Sequence, residues 1–244
     1  MAVATILTYH RIVPTGRREL FYDIEETAFI RQLRRLVERT AAPDAGSASA
    51  GRGSVCLTFD DGTGDHRRVA DLLSRHGLTG TFFVITSRLG APGHLSEEDV
   101  RSIAAQGHRI ASHSVTHRDL TSLSAAALTD ELVASRERLE ALVQRSVDWF
   151  APPGGVYSKA VIDEALRVGY QIVRTMEWGY PELPLCGLVP CLPVIARYDI
   201  VMFDRLLEGQ APLWLHSVKN LLKRGVGPGL YVRLRNLGDR VIPR

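Results

Sequence analysis

Short apolar segments alternate with longer amphipathic segments along most of this chain. The apolar segments have the length of buried strands, and the amphipathic segments carry apolar residues at helical spacing. This alternation predicts a parallel sheet whose strands are joined by crossover helices. We predict strands at residues 3–9, 55–59, 81–85, 109–112, 149–150 and 171–175, and helices at 21–39, 67–76, 123–144, 159–169 and 202–208, with another helix after residue 96. The predicted N-caps are Thr27, Ser96 and Ser124.

A length of 244 residues allows one α/β barrel-type domain or two smaller domains. The sequence contains no internal repeat. Its small, polar and Gly-rich segment at 41–54 is interpreted as a loop within a domain, because strands resume directly after it. We therefore predict one domain over residues 1–244, with a basic helical segment at about 213–244.

Basic residues cluster near both ends of the chain, although the net charge is only +3. Most of them lie at helical spacing without interleaved aromatic residues. This arrangement favours solvated helix faces over a nucleic-acid surface, so no nucleic-acid partner is expected. The C-terminal basic segment could pack on the barrel, bind a partner or rest on an anionic membrane surface. Packing on the barrel is the preferred interpretation.

Several features predict a cytoplasmic protein. The N-terminus lacks the charged region and the long apolar region of a secretory signal, and no apolar run reaches transmembrane length. The three cysteines are odd in number, and Cys56 lies in a predicted buried strand, which favours a reducing compartment over a disulfide framework.

Two adjacent carboxylates follow one of the predicted strands. Residues 58–62 read Thr-Phe-Asp-Asp-Gly, which places Asp60 and Asp61 at the strand end and a glycine directly after them. Strand ends are where α/β proteins place chemistry. Adjacent carboxylates repel each other, and a divalent cation would relieve that repulsion. Taken alone, Asp-Asp-Gly could also be a simple turn with capping carboxylates.

A pair of histidines strengthens the metal-site interpretation. Residues 113–117 read His-Ser-Val-Thr-His, with His113 at the end of a predicted strand and His117 in the loop that follows. Two imidazoles and one carboxylate are a common ligand set for catalytic zinc, and they leave a coordination position open. The remaining carboxylate could then accept a proton from water.

Together, residues 58–62 and 112–117 resemble the first two motifs of the polysaccharide deacetylase family, also called the NodB-homology domain. The resemblance extends over about residues 3 to 200. It implies a distorted (β/α)7-type barrel and a divalent metal, most often zinc. It also implies that Asp60 is the general base and that Asp61, His113 and His117 bind the metal.

The third motif of the family departs from its usual pattern in this chain. The family sequence Arg-Pro-Pro-Tyr-Gly corresponds here to Ala-Pro-Pro-Gly-Gly at residues 151–155. The resemblance makes Pro152, Pro153, Gly154 and Gly155 candidate substrate and oxyanion residues, with the Gly154 N–H facing the oxyanion. The family arginine that orients the base is replaced by Ala151. Either another cation such as Arg174 substitutes for it, or the base is tuned differently.

The remaining motifs of the family match weakly. Trp178, with Glu177 before it, could be a remnant of the fourth motif. His216 is the only match to the fifth motif, whose histidine is the general acid. The segment around His216 has a helical pattern, so it could instead be a surface histidine. His10, at the end of the first predicted strand, is the second candidate for the acid and a possible neighbour of the site.

These observations predict a metal-dependent hydrolase that removes an N-acetyl or other N-acyl group. The resemblance implies an amino sugar, a sugar-containing small molecule or a glycolipid as substrate, so the expected partner is a small molecule or a glycan. Two alternatives remain open. One is hydrolysis of a non-sugar C–N bond such as a cyclic amide, and the other is a binding protein with a degenerate site.

Overall fold

A computed structural model describes residues 2–41 and 54–214, and the side chains of residues 40 and 41 are left out of the description. His216 and nearly all of the basic segment predicted at about 213–244 lie outside the described residues, as does most of the loop predicted at 41–54. The interpretations given above for these parts, and for one domain over the full length, stay predictions.

Strands and helices alternate through the described residues as the sequence predicts. The strands are β1 (Thr5–Tyr9), β2 (Arg11–Val13), β3 (Asp23–Glu25), β4 (Val55–Phe59), β5 (Gly80–Val84), β6 (Arg109–Ser112), β7 (Trp149–Phe150), β8 (Ile172–Trp178) and β9 (Gly187–Pro193). The helices are α1 (Glu26–Ala41), α2 (His66–Arg75), α3 (Glu97–Ala105), α4 (Ala125–Val143), α5 (Lys159–Arg167) and α6 (Ile200–Leu207). Three short 3-10 turns occupy Thr86–Arg88, Leu120–Ser122 and Pro153–Gly155.

Within the described residues, seven parallel strands close into a barrel. Their order is β1, β4, β5, β6, β7, β8 and β9, and β9 pairs with β1 to complete the ring. The short strands β2 and β3 form a separate parallel pair. The predicted (β/α)7-type barrel is therefore confirmed.

The two faces of the barrel strands belong to two different apolar clusters. The larger cluster joins outward-facing strand residues such as Leu7, Phe82 and Phe150 to the surrounding helices. The smaller cluster contains strand residues that alternate with these, including Ile6 and Phe83, and no residue of α1 to α6. Because strand side chains alternate between faces, the smaller cluster fills the interior of the barrel.

Helix starts follow the capping residues in most places. The Ser96 side chain accepts a hydrogen bond from the Asp99 N–H in a capping box, and Ser124 caps α4, as predicted. The predicted cap Thr27 is wrong, because it lies inside α1. The chain before it forms β3 and a turn in which the Asp23 carboxylate accepts bonds from the N–H groups of Glu19 and Leu20, both at 2.8 Å.

Strand β9 was not among the strands predicted from the sequence. Its sequence, Gly-Leu-Val-Pro-Cys-Leu-Pro, contains two prolines that weaken the strand signal. The structure nevertheless pairs β9 with both β8 and β1. Among the helices of the described residues, none combines the length and the apolar composition needed to cross a membrane.

We expect Gly80→Ala to destabilise the barrel. A Cβ at this position would lie 2.8 Å from Leu73 Cδ1 and 3.0 Å from Phe59 Cε2. Such overpacking costs about 1–3 kcal/mol. The matched control is Gly64→Ala, whose Cβ would meet its nearest atoms at 3.6 Å. Urea unfolding measures the free energy of unfolding of both variants, and equal stabilities would contradict this account of the packing.

Candidate active site

The candidate site lies at the barrel mouth where the carboxyl ends of the parallel strands meet. His10 follows β1, and the pair Asp60 and Asp61 follows β4. His113 follows β6, and Ala151 follows β7. Closure of the barrel thus brings together residues from strands that are far apart in the sequence.

The structure brings the three predicted metal ligands together. Asp61 Oδ1 lies 3.5 Å from His113 Nε2 and 3.3 Å from His117 Nε2. One ligand atom from each of the three residues can be chosen so that all lie within 4.8 Å of one another. Two donors bound to one zinc ion at about 2.1 Å with tetrahedral angles lie about 3.4 Å apart. The two separations from Asp61 match this spacing, so the three side chains fit a divalent metal in donor type and in proximity.

The state of His113 also suits a metal ligand. Its Nδ1–H donates a hydrogen bond to the Ala151 carbonyl oxygen at 2.7 Å, which leaves the Nε2 lone pair free to bind a metal. Burial lowers the pKa of His113 to about 4, although the carboxylates of Asp60 and Asp61 act in the opposite direction. The imidazole is therefore neutral near pH 7.

Asp61 is poised to bind as a carboxylate. Burial acts to raise its pKa, but the hydrogen bond with His117 and the neighbouring positive charges outweigh burial. The pKa of Asp61 therefore lies well below its usual range, and the side chain carries a negative charge across the physiological pH range.

Backbone strain is concentrated in the two segments that carry the predicted metal ligands. Asp61, Ser114 and His117 have φ angles of 76°, 66° and 59°, in the left-handed region that non-glycine residues rarely adopt. Among the described residues, only Gln144, at the end of α4, is another non-glycine residue with positive φ. Each such residue costs about 1 kcal/mol or more. The surrounding contacts must therefore hold these conformations in place.

Asp60 points into the barrel, where it meets a buried cation. The Arg174 Nη2 donates to Asp60 Oδ1, and the two residues are 1% and 3% exposed. Arg174 lies in β8, with its guanidinium 4.8 Å from the centroid of the Phe83 ring. Arg174 therefore supplies a cation beside Asp60, as expected from the first of the two possibilities left open by the sequence.

The ion pair determines the charge state of the proposed base. Burial is the strongest single effect and would raise the pKa of Asp60, but the positive charge of Arg174 and smaller effects of the same sign from His113 and His10 together outweigh it. The pKa of Asp60 therefore lies below its usual value. The same contact raises the pKa of Arg174 against the effect of its own burial. The carboxylate is thus held ionised inside the barrel.

The segment at 151–155 follows β7 beside the metal-binding residues. Gly154 and Gly155 have φ angles of 60° and 66°. A Cβ on Gly155 would lie 2.6 Å from two atoms of the Met176 side chain, so only glycine fits there. Pro153, the first residue of this turn, is buried. The assignment of Pro152, Pro153, Gly154 and Gly155 to the substrate and the oxyanion stays a prediction.

The other candidate residues differ in how closely they approach the site. His10 follows β1 directly after Tyr9, whose carbonyl oxygen accepts a hydrogen bond from the Asp60 N–H at 2.9 Å, so its backbone lies next to that of Asp60. Its ring stacks on Tyr22 with centroids 4.5 Å apart. Trp178, at the end of β8, is half-buried against the larger apolar cluster. His216 lies outside the described residues, so its role as the acid stays a prediction.

One contributor to the site was not found from the sequence. Glu131, in α4, contacts the backbone of the loop between the two histidines. The only signal available was a glutamate on the buried face of an amphipathic helix, which is weak in isolation.

Comparison with known sequences identifies the family pattern independently. The model of the family described as "Polysaccharide deacetylase" matches residues 47–173. A peptidoglycan-N-acetylmuramic acid deacetylase of Bacillus subtilis is 34% identical over 149 residues, which cover 59% of this chain and 53% of the relative. A chitooligosaccharide deacetylase of Bradyrhizobium is 32% identical over 139 residues, which cover 54% of this chain and 62% of the relative. The chain spans about half the length of the first relatives it matches.

Comparison with solved structures supports the fold. A deacetylase of Streptococcus pyogenes, solved in complex with acetate, superimposes with a TM-score of 0.74 at 20% sequence identity. The match covers 86% of this chain and 99% of that protein. At this level of identity the likeness is one of fold.

We expect His113→Ala to lose bound metal and Asp60→Asn to keep it. His113 supplies one of three donor atoms, whereas Asp60 faces Arg174 inside the barrel. Metal analysis of the desalted proteins should give close to one equivalent for the wild type and Asp60→Asn, and far less for His113→Ala. Retention of metal by His113→Ala, or its loss from Asp60→Asn, would show that the ligand assignment is wrong.

Proposed function

Because the chain belongs to the polysaccharide deacetylase family, we propose that it is a metal-dependent hydrolase that removes an N-acetyl group from an amino sugar. The observation that carries this proposal is the juxtaposition of two units at the barrel mouth. One is the trio of Asp61, His113 and His117, and the other is the ionised carboxylate of Asp60 held by Arg174. This combination supplies a metal position and an adjacent base, as amide hydrolysis requires.

The relatives support an N-acetylated sugar as the substrate class. Those named above act, by their names, on peptidoglycan N-acetylmuramic acid and on chitooligosaccharides. Within this class we propose a glycan, a sugar-containing small molecule or a glycolipid. The cytoplasmic location stays a prediction.

In the proposed mechanism, a divalent metal, with zinc the expected ion, would polarise the amide carbonyl and make water more acidic. Asp60 accepts the proton of the attacking water, and the charge of Arg174 keeps its carboxylate ionised and oriented before the reaction. The Gly154 N–H is proposed to donate a hydrogen bond to the developing oxyanion. The amine leaves after it gains a proton.

Two histidines remain candidates for the group that donates this proton. The resemblance assigns the role to His216, and the position of His10 directly after β1, which pairs with β4 ahead of Asp60, supports it as the alternative. A general acid contributes about 10²–10⁴-fold to the rate. We retain His216 as the proposed acid and His10 as its alternative.

The contact between Arg174 and Asp60 weakens the case for a degenerate site. That interpretation rests on the missing arginine at Ala151 and on the uncertain general acid, and the buried cation of β8 bears on the first of these reasons. No contact among the described residues favours a cyclic amide over an N-acetyl group.

The proposed activity predicts acetate release that depends on metal. We expect the purified protein to release acetate from N-acetylglucosamine oligosaccharides or from peptidoglycan fragments, and a chelator to abolish release until zinc is restored. Asp60→Asn is the matched control, because it removes the base and leaves the three metal ligands in place. Acetate release that persists in the chelator, or at a normal rate in Asp60→Asn, would contradict the mechanism.

We expect Arg174→Met to lower kcat by at least about tenfold while metal content is retained. Methionine fills much of the same space without a charge, so burial then raises the pKa of Asp60 unopposed by the guanidinium. The acidic limb of the pH profile of kcat/KM should therefore move to higher pH. Arg174→Lys, which keeps a cation, should restore part of the rate. An unchanged pH profile in Arg174→Met would refute this role.

A further inference from the structure

The loop that carries His117 is held by a carboxylate from outside the barrel. Glu131 lies in α4 and is 8% exposed. Its Oε2 accepts hydrogen bonds from the Val115 N–H at 2.9 Å and the Thr116 N–H at 3.0 Å. Its Oε1 accepts a third bond from the Thr116 hydroxyl. One side chain thus satisfies three donors of a four-residue loop segment between Ser112 and His117.

Two N–H groups of this loop bond to Glu131 and not to backbone carbonyl groups. Strand β6 ends at Ser112, and Ser114 and His117 adopt left-handed conformations directly after it. The carbonyl groups of Ser114 and Val115 accept bonds from the N–H groups of Thr86 and Ser87, at 3.2 and 3.0 Å. The N–H groups of the half-buried residues Val115 and Thr116 donate to the Glu131 carboxylate, which supplies the partner that such groups need where water is scarce.

We propose that Glu131 is a positioning residue for the metal site. Its carboxylate fixes the loop in the strained conformation that brings His117 Nε2 to 3.3 Å from Asp61 Oδ1. Glu131 does so through the backbone of Val115 and Thr116 and is not itself one of the metal-binding trio. This inference rests on the proposed function, because it assigns a role in the same metal site.

A carboxylate suits this position because it accepts hydrogen bonds through both oxygens and donates none. In Glu131→Gln, one oxygen is replaced by an NH2 group of nearly the same shape. That group would face either the two backbone N–H groups or the Thr116 hydroxyl, so at least one accepted bond is lost. Without the full set of bonds, the loop can relax out of its left-handed conformations.

Metal affinity is the quantity that this role controls. Competition with a chromophoric chelator measures zinc affinity without any substrate. We expect Glu131→Gln to bind zinc about 10- to 100-fold more weakly than the wild type, the usual effect of losing a partner outside the direct ligands. The matched control is Glu137→Gln, an equal change of charge at an exposed position of the same helix, which should leave zinc affinity unchanged.

A second readout separates positioning from general stability. Cobalt bound in place of zinc gives a visible absorption spectrum that responds to ligand geometry, so we expect an altered spectrum in Glu131→Gln and the wild-type spectrum in Glu137→Gln. Should Glu131→Gln fail to fold, Thr116→Val removes the hydroxyl bond to Glu131, together with an exposed bond from Arg118 Nε, and should weaken zinc binding several-fold. Arg118→Met removes the Arg118 bond alone and is the control for this variant. Unchanged zinc affinity and cobalt spectrum in a folded Glu131→Gln or Thr116→Val protein would overturn the proposal.

The outcome for Glu131 can be distinguished from the outcome for the proposed function. A wild-type protein that binds zinc but releases no acetate would contradict deacetylation and leave the role of Glu131 intact. Equal zinc affinities for the wild type and Glu131→Gln, combined with acetate release, would overturn the role of Glu131 alone.

Discussion

The pairing of β9 with β1 is the constraint on which the site depends, because it closes a parallel sheet into a ring. In a closed parallel barrel, the carboxyl ends of the strands meet at one mouth. Asp60 and Arg174 are 114 residues apart in sequence, yet closure brings them into contact in the interior. The ends of β4 and β6 likewise provide the carboxylate and the imidazoles of the candidate metal site.

The two adjacent carboxylates avoid repulsion by facing different partners. Asp60 continues the alternation of β4 and points inward to Arg174, whereas the positive φ of Asp61 redirects the next side chain to the two imidazoles. The charge of Asp60 is therefore balanced by Arg174. Asp61 is left to face the two imidazoles, where a metal cation could bind. This division of charge lets two neighbouring residues have different chemical roles.

The sequence predicted the parts of the structure whose signals are local. Short segments predicted the strand before Asp60 and the capping residues Ser96 and Ser124. The proximity of the histidines to the Asp pair was predicted from the two motifs taken together. Strand β9 was missed because its stability comes from neighbours on both sides, which outweigh its two prolines. Glu131 was missed because its importance lies in contacts made across the fold to the backbone of another segment.

In this fold, different segments provide the cation that pairs with Asp60 and the carbonyl group that orients His113. The cation that pairs with the Asp60 carboxylate comes from β8, in the wall of the barrel. The segment at 151–155 therefore does not have to provide a cation. In that segment, the Ala151 carbonyl group orients His113 by accepting its hydrogen bond. The segment has no large side chain. Substitutions in this segment can therefore change the shape of the barrel mouth while the ion pair between Asp60 and Arg174 is left undisturbed.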